Sequence, residues 1–146
     1  MDPTDWQSYG ALREYRIDGA RFSTLEGFFD EVGQVLIPGA RWGRNLDAFN
    51  DILRGGFGTP DEGFILIWQN AALSRERLGY AETERVLESR LARCHPTARR
   101  DVRRDLRLVR SHKGDTAFDW IVDIIRIHGP GGAEGEDNVI LKLQPN

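Results

Sequence analysis

Phe64-Ile65-Leu66-Ile67-Trp68 is an unbroken apolar run, bounded by Asp61 and Gly63 on one side and Asn70 on the other. Five consecutive apolar residues leave no polar face for solvent. The run therefore reads as a short strand covered on both sides, as in a parallel sheet. Two further strand signals lie far from it in the chain. Glu14-Tyr15-Arg16-Ile17 alternates polar and apolar residues and stops at the turn pair Asp18-Gly19. Val139-Ile140-Leu141-Lys142-Leu143 closes the sequence.

Helical patterns fill the intervals. Ser23 reads as an N-cap, with Glu26 completing a capping box. Leu25, Phe28, Phe29, Val32 and Leu36 follow at helical spacing until Pro38-Gly39. Asn45 caps a second helix that buries Leu46, Phe49 and Leu53 and ends at Gly55-Gly56. Residues 73–93 read as helical up to Pro96, and 97–113 carry no clear conformational signal. Asp115-Thr116 opens a last helix with Phe118, Ile121, Val122 and Ile125 on its apolar stripe, closed by Gly129-Pro130-Gly131-Gly132. Strands separated by helices imply right-handed crossovers. The expected fold is α/β: a small, mainly parallel three-stranded sheet packed with helices. A single domain over 1–146 is expected, with 1–11 as an irregular lead-in.

A chain of 146 residues can bury a core without staples. Cys94 is the lone cysteine, so no internal disulfide forms. No apolar run approaches the ~20 residues of a membrane span. The opening Met1-Asp2-Pro3-Thr4-Asp5-Trp6 is acidic rather than leader-like, so a cytoplasmic protein is expected. Charge is segregated. Residues 1–74 hold 6 basic and 11 acidic groups (net −5), residues 75–113 hold 12 and 6 (net +6), and residues 114–146 hold 2 and 6 (net −4). The chain reads as an acidic body interrupted by a basic segment, and an acidic surface disfavours nucleic acid and favours a basic partner.

The common catalytic signatures are missing from the sequence. There is no phosphate-binding lysine loop, no paired zinc-ligand spacing and no nucleophile elbow, so neither a metal nor another cofactor is expected. His95, His112 and His128 stand alone, and His128 reads as a dipole partner in the last turn of a helix. Asp47 and Asp51, four apart, share one face of the second helix and repel each other by a few tenths of a kcal/mol. Such a pair is a solvated face, a general acid and base, or two anions offered to a basic pocket. Spacing alone does not choose.

The segment Trp42-Gly43-Arg44-Asn45-Leu46-Asp47-Ala48-Phe49-Asn50-Asp51-Ile52-Leu53 resembles the barstar family signature, approximately aromatic-Gly-x-Asn-Leu-Asp-Ala-hydrophobic-x-Asp-x-Leu. It stands after the strand and helix of residues 15–36 and before the strand ending in Trp68, as in that family. The resemblance covers roughly 14–74 and 115–144. It implies a barstar-like fold with a basic helical insertion over 75–113, and a protein without catalysis of its own. It further implies an inhibitor or immunity protein whose partner is a cognate ribonuclease or toxin nuclease domain, with no membrane partner; a monomer is expected. A ribonuclease groove carries cations for the RNA backbone, which carboxylates on a rigid helix can occupy. By this resemblance Asp47 and Asp51 are the two acidic contacts, Arg41 and Trp42 stand at paired aromatic positions of the binding loop, and Gly43 is its close-approach glycine. Asn45 is a contact or only a cap. Asp119 matches a further acidic contact.

The chain departs from the pattern in three places. Asn50 occupies a position that can carry an aromatic contact. Arg41 and Arg44 bring positive charge beside the acidic face, which points to a target other than barnase itself, with some acidic rim. The 75–113 segment is longer and more basic than in a minimal member, leaving RNA or protein binding by this insertion as the alternative reading.

Overall fold

In the computed structural model, which describes residues 12–146, three strands form one all-parallel sheet in the order β1 (Arg13–Asp18), β2 (Phe64–Gln69), β3 (Val139–Leu143). The 1–11 lead-in lies outside the described residues. The apolar run is the central strand: Phe64 pairs with Arg13 on one side and Val139 on the other. The helices cover one face: Phe64, Leu66 and Trp68 point into the core, whereas Ile65 and Ile67 lie on the side that carries exposed Glu14, Arg16 and Lys142, so the expected cover on both faces is not met and the neighbouring strands' side chains shield Ile67 instead.

Six helices are described: α1 (Leu25–Leu36), α2 (Leu46–Arg54), α3 (Ala71–Arg77), α4 (Tyr80–Arg93), α5 (Arg99–Arg110) and α6 (Ala117–Ile127). The five apolar residues expected to form the stripe of α1 are all buried. Its cap is shifted by one from the expected Ser23. Thr24 is the extended residue, and its hydroxyl accepts the Gly27 N–H at 3.0 Å. Glu26 closes no box; it pairs with Arg85 of α4 instead. The helical stretch 73–93 is two helices, because Leu78 turns into the core and Gly79 takes an extended conformation. Residues 99–110 are helical as well.

The aromatic centre of the core is Trp68. Its ring stacks on Phe28 at 5.3 Å and meets Phe118 at 5.1 Å, and Phe28 meets Phe49 edge-on at 5.2 Å. One residue of β2 thus draws in α1 and α6 directly, and α2 through Phe28. A second, smaller core of Leu87, Val102, Leu106 and Val109 joins α4 to α5, with Trp120 of α6 packed against both cores.

Helix α4 also completes the termini of two other helices. Buried Glu82 accepts the Leu25 N–H of α1 at 2.7 Å, and the Thr83 hydroxyl accepts the Ala117 N–H of α6 at 2.7 Å. Each satisfies a donor that its own helix cannot. Glu82, followed by Glu26, also holds Arg85 more firmly in its charged form. No helix among the described residues is long and apolar enough to cross a membrane.

Candidate functional site

The loop 39–45 and α2 carry seven of the eight residues singled out in the sequence. The loop is anchored through Trp42, which is half-buried and meets Phe29 of α1 edge-on at 5.8 Å. Its indole lies directly over Gly33, where a β-carbon would stand 2.7 Å from Nε1. Gly33 therefore sits mid-helix because the loop packs there, despite a cost of about 1 kcal/mol relative to alanine. Gly33→Ala is expected to push Trp42 off α1. The fluorescence spectrum should shift to the red, with little change in stability because the helix gains what the contact loses. An unshifted spectrum would mean that the loop does not depend on this contact.

Gly43 is required by the fold itself. A β-carbon there would lie 2.9 Å from that of Ala48. Asn45 is the cap of α2: its Oδ1 accepts the Ala48 N–H at 2.8 Å. Arg44, in a left-handed conformation, turns back to form an ion pair with Asp30 of α1. Arg41 is exposed and has no carboxylate at ion-pair distance among the described residues.

Asp47 and Asp51 are both exposed on one side of α2, about 6 Å apart along its axis. The other face is held from below. Asn50 points inward: its side-chain amide lies 2.6 Å from Nε2 of His128. His128 is fully buried, and its Nδ1–H donates to Asp137 at 2.6 Å. The Asn50 amide can present either end to suit the ring's tautomer. One turn further on, Arg54 binds Glu134 at 3.1 Å and Asp51 at 3.3 Å. The helix is thus clamped at two points to the loop that follows α6.

The sequence reading of His128 as a simple dipole partner missed this network. Nothing local signals it, since Asn50 and His128 are 78 residues apart. His128, Glu134 and Asp137 lie close enough to suggest a metal cluster. However, Asp137 faces Nδ1 whereas Glu134 lies on the Nε2 side at 3.5 Å, and both ring nitrogens already make short hydrogen bonds. The arrangement is a strut.

Asp119 stands apart from the cluster, in the first turn of α6. Its Oδ2 accepts the Thr116 N–H at 2.9 Å while the Thr116 hydroxyl oxygen accepts the Asp119 N–H at 3.3 Å, forming a capping box. An open groove of about 920 Å³ runs beside the site, lined among others by Asp47, Leu46, Val86, Arg90, Arg93 and Ile124.

A family model described as Barstar (barnase inhibitor) matches residues 12–109. The match runs continuously through the loop, α2, α4 and nearly all of α5, and stops short of α6 and β3. No curated protein and no solved structure matches the chain.

Proposed function

Because this chain belongs to the barstar family, whose members are non-enzymatic inhibitors of barnase-type ribonucleases, we propose that it blocks the active site of a cognate ribonuclease, or of a toxin nuclease domain, with the exposed face of α2. The observation that carries this reading is the division of labour along α2. Asn50 and Arg54 are tied to the body of the protein, whereas Asp47 and Asp51 face solvent from a rigid support. Two carboxylates held this way replace the phosphates of RNA among the cations of the groove and form charge-assisted hydrogen bonds with them. Pre-organisation lowers the ordering cost on docking. The opposite potentials of the two surfaces accelerate encounter.

Trp42 and Gly43 shape the loop beside this face. Arg44 is occupied by Asp30, so Arg41 is the loop cation that meets the partner, and the rim of that partner carries an acidic group opposite it. Asp119, whose carboxylate caps α6, is an outer acidic contact.

The reading is tested by titrating the protein into small microbial ribonucleases and toxin nuclease domains while following cleavage of a fluorescent RNA. Stoichiometric inhibition of one enzyme is expected, relieved by rising RNA concentration because the two compete for one groove. Inhibition indifferent to RNA concentration would contradict active-site blockage.

A further inference from the structure

We propose that α5 is a docking surface for the phosphate backbone of a nucleic acid, separate from the ribonuclease-binding face of α2. The helix reads Arg-Arg-Asp-Val-Arg-Arg-Asp-Leu-Arg-Leu-Val-Arg, with six arginines and two aspartates. Val102, Leu106 and Val109 point into the small core shared with α4. At ~100° per residue, Arg99, Arg100, Arg103 and Arg107 fall within an arc of about 100° on one flank, and both aspartates fall on the other.

Two of the six arginines are neutralised from within. Arg104 lies 3.7 Å from Asp101 and 3.4 Å from Asp105, and Arg110 binds Glu84 and Glu88 of α4 at 2.9 and 3.1 Å. The other four are exposed and have no carboxylate at ion-pair distance among the described residues. They form a cationic stripe about 12 Å long.

Stability does not account for this placement. Arginines at i, i+4 repel, costing a few tenths of a kcal/mol per pair. Arg99 and Arg100 also stand at the positive end of the helix dipole, where cations are disfavoured. The chemistry of the stripe favours phosphate. The arginine fork matches phosphate oxygens, and the chain has 18 arginines to 2 lysines. A protein partner would need an apolar centre to the interface. The one large apolar side chain exposed on α5 is Leu108, which falls about 80° or more around the helix from the stripe. The helix carries no aromatic residue on which bases could stack. The contact is therefore with the backbone and independent of sequence. At ~0.1 M salt the Debye length of about 10 Å lets this patch act despite the protein's net charge.

The test is fluorescence anisotropy of the whole protein with a labelled RNA duplex, and separately a DNA duplex, of about 20 base pairs across a salt series. Binding in the range of about 1–100 µM is expected, with log K falling against log salt at a slope of about −3 to −4 for four phosphate contacts. The combined Arg99→Gln, Arg100→Gln, Arg103→Gln and Arg107→Gln variant should bind at least about tenfold more weakly with a near-zero slope, with unchanged helix content by circular dichroism. Asp51→Ala should leave duplex binding intact, which separates this surface from the α2 face. Binding of both duplexes, or of RNA alone through added 2′-hydroxyl contacts, supports the proposal. Failure to bind either duplex at low salt, equal binding by the quadruple variant, or capture of polyglutamate without either duplex would overturn it.

Discussion

Replacing Asp51 with alanine is expected to weaken inhibition of the cognate ribonuclease by roughly 30- to 4000-fold, corresponding to about 2–5 kcal/mol. That range is typical of truncating one partner of a desolvated charge pair. It draws in part on the barnase–barstar complex of this same family and is borrowed from there. The free protein should hardly notice the change. Asp51 makes one exposed ion pair, with Arg54 at 3.3 Å, a kind of contact worth about 0–1 kcal/mol. Arg54 keeps its second partner, Glu134. Removal of Asp51 also relieves its repulsion with Asp47. The loss should appear mainly as faster dissociation, with a smaller, salt-sensitive fall in association rate. Binding kinetics together with urea unfolding separate the two effects. Unchanged inhibition by a folded Asp51→Ala protein would remove the acidic plug from the account.

His128→Ala is the substitution expected to damage the fold most informatively. It empties a fully buried site and strips the inward partner from both Asn50 and Asp137. Leaving such polar groups unpaired costs about 2–4 kcal/mol in total. In a domain of this size the melting temperature should fall by roughly 6–12 °C. Inhibition should weaken too, because α2 loses one of its two attachments to the loop after α6. Asn50→Ala should reproduce part of the loss of inhibition at a smaller cost in stability, since it leaves His128 paired to Asp137. A melting temperature within a degree or two of wild type for His128→Ala would show that the strut is not what holds α2 in place.

Local chemistry made the strands, the cap of α2 and the two exposed aspartates legible in the sequence. Apolar continuity over 64–68 betrays a central strand, and Asn45 two residues before Asp47 betrays a helix start. The features that escaped are those written in pairs of distant residues. Gly33 looks like a helix defect until Trp42 is seen above it. His128 looks idle until Asn50 and Asp137 close on it. Glu82 and Thr83 read as ordinary helix residues, yet each completes the terminus of another helix. Asp119 shows the converse. Its position matched an outer acidic contact, and the structure gives its carboxylate a capping task in a box whose Thr116 start was visible in the sequence. Ser23 and Thr24 are both competent caps, so the one-residue shift was decided by which of them the tertiary fold holds extended.

The most direct test of the central claim is a hydrogen-exchange footprint of the protein bound to the ribonuclease it inhibits. Slower exchange should concentrate in the loop 41–45 and in α2, with α5 exchanging as in the free protein. Protection of α5 with the loop and α2 unchanged would contradict the account, because the enzyme would then be docked on a surface where Asp47 and Asp51 take no part.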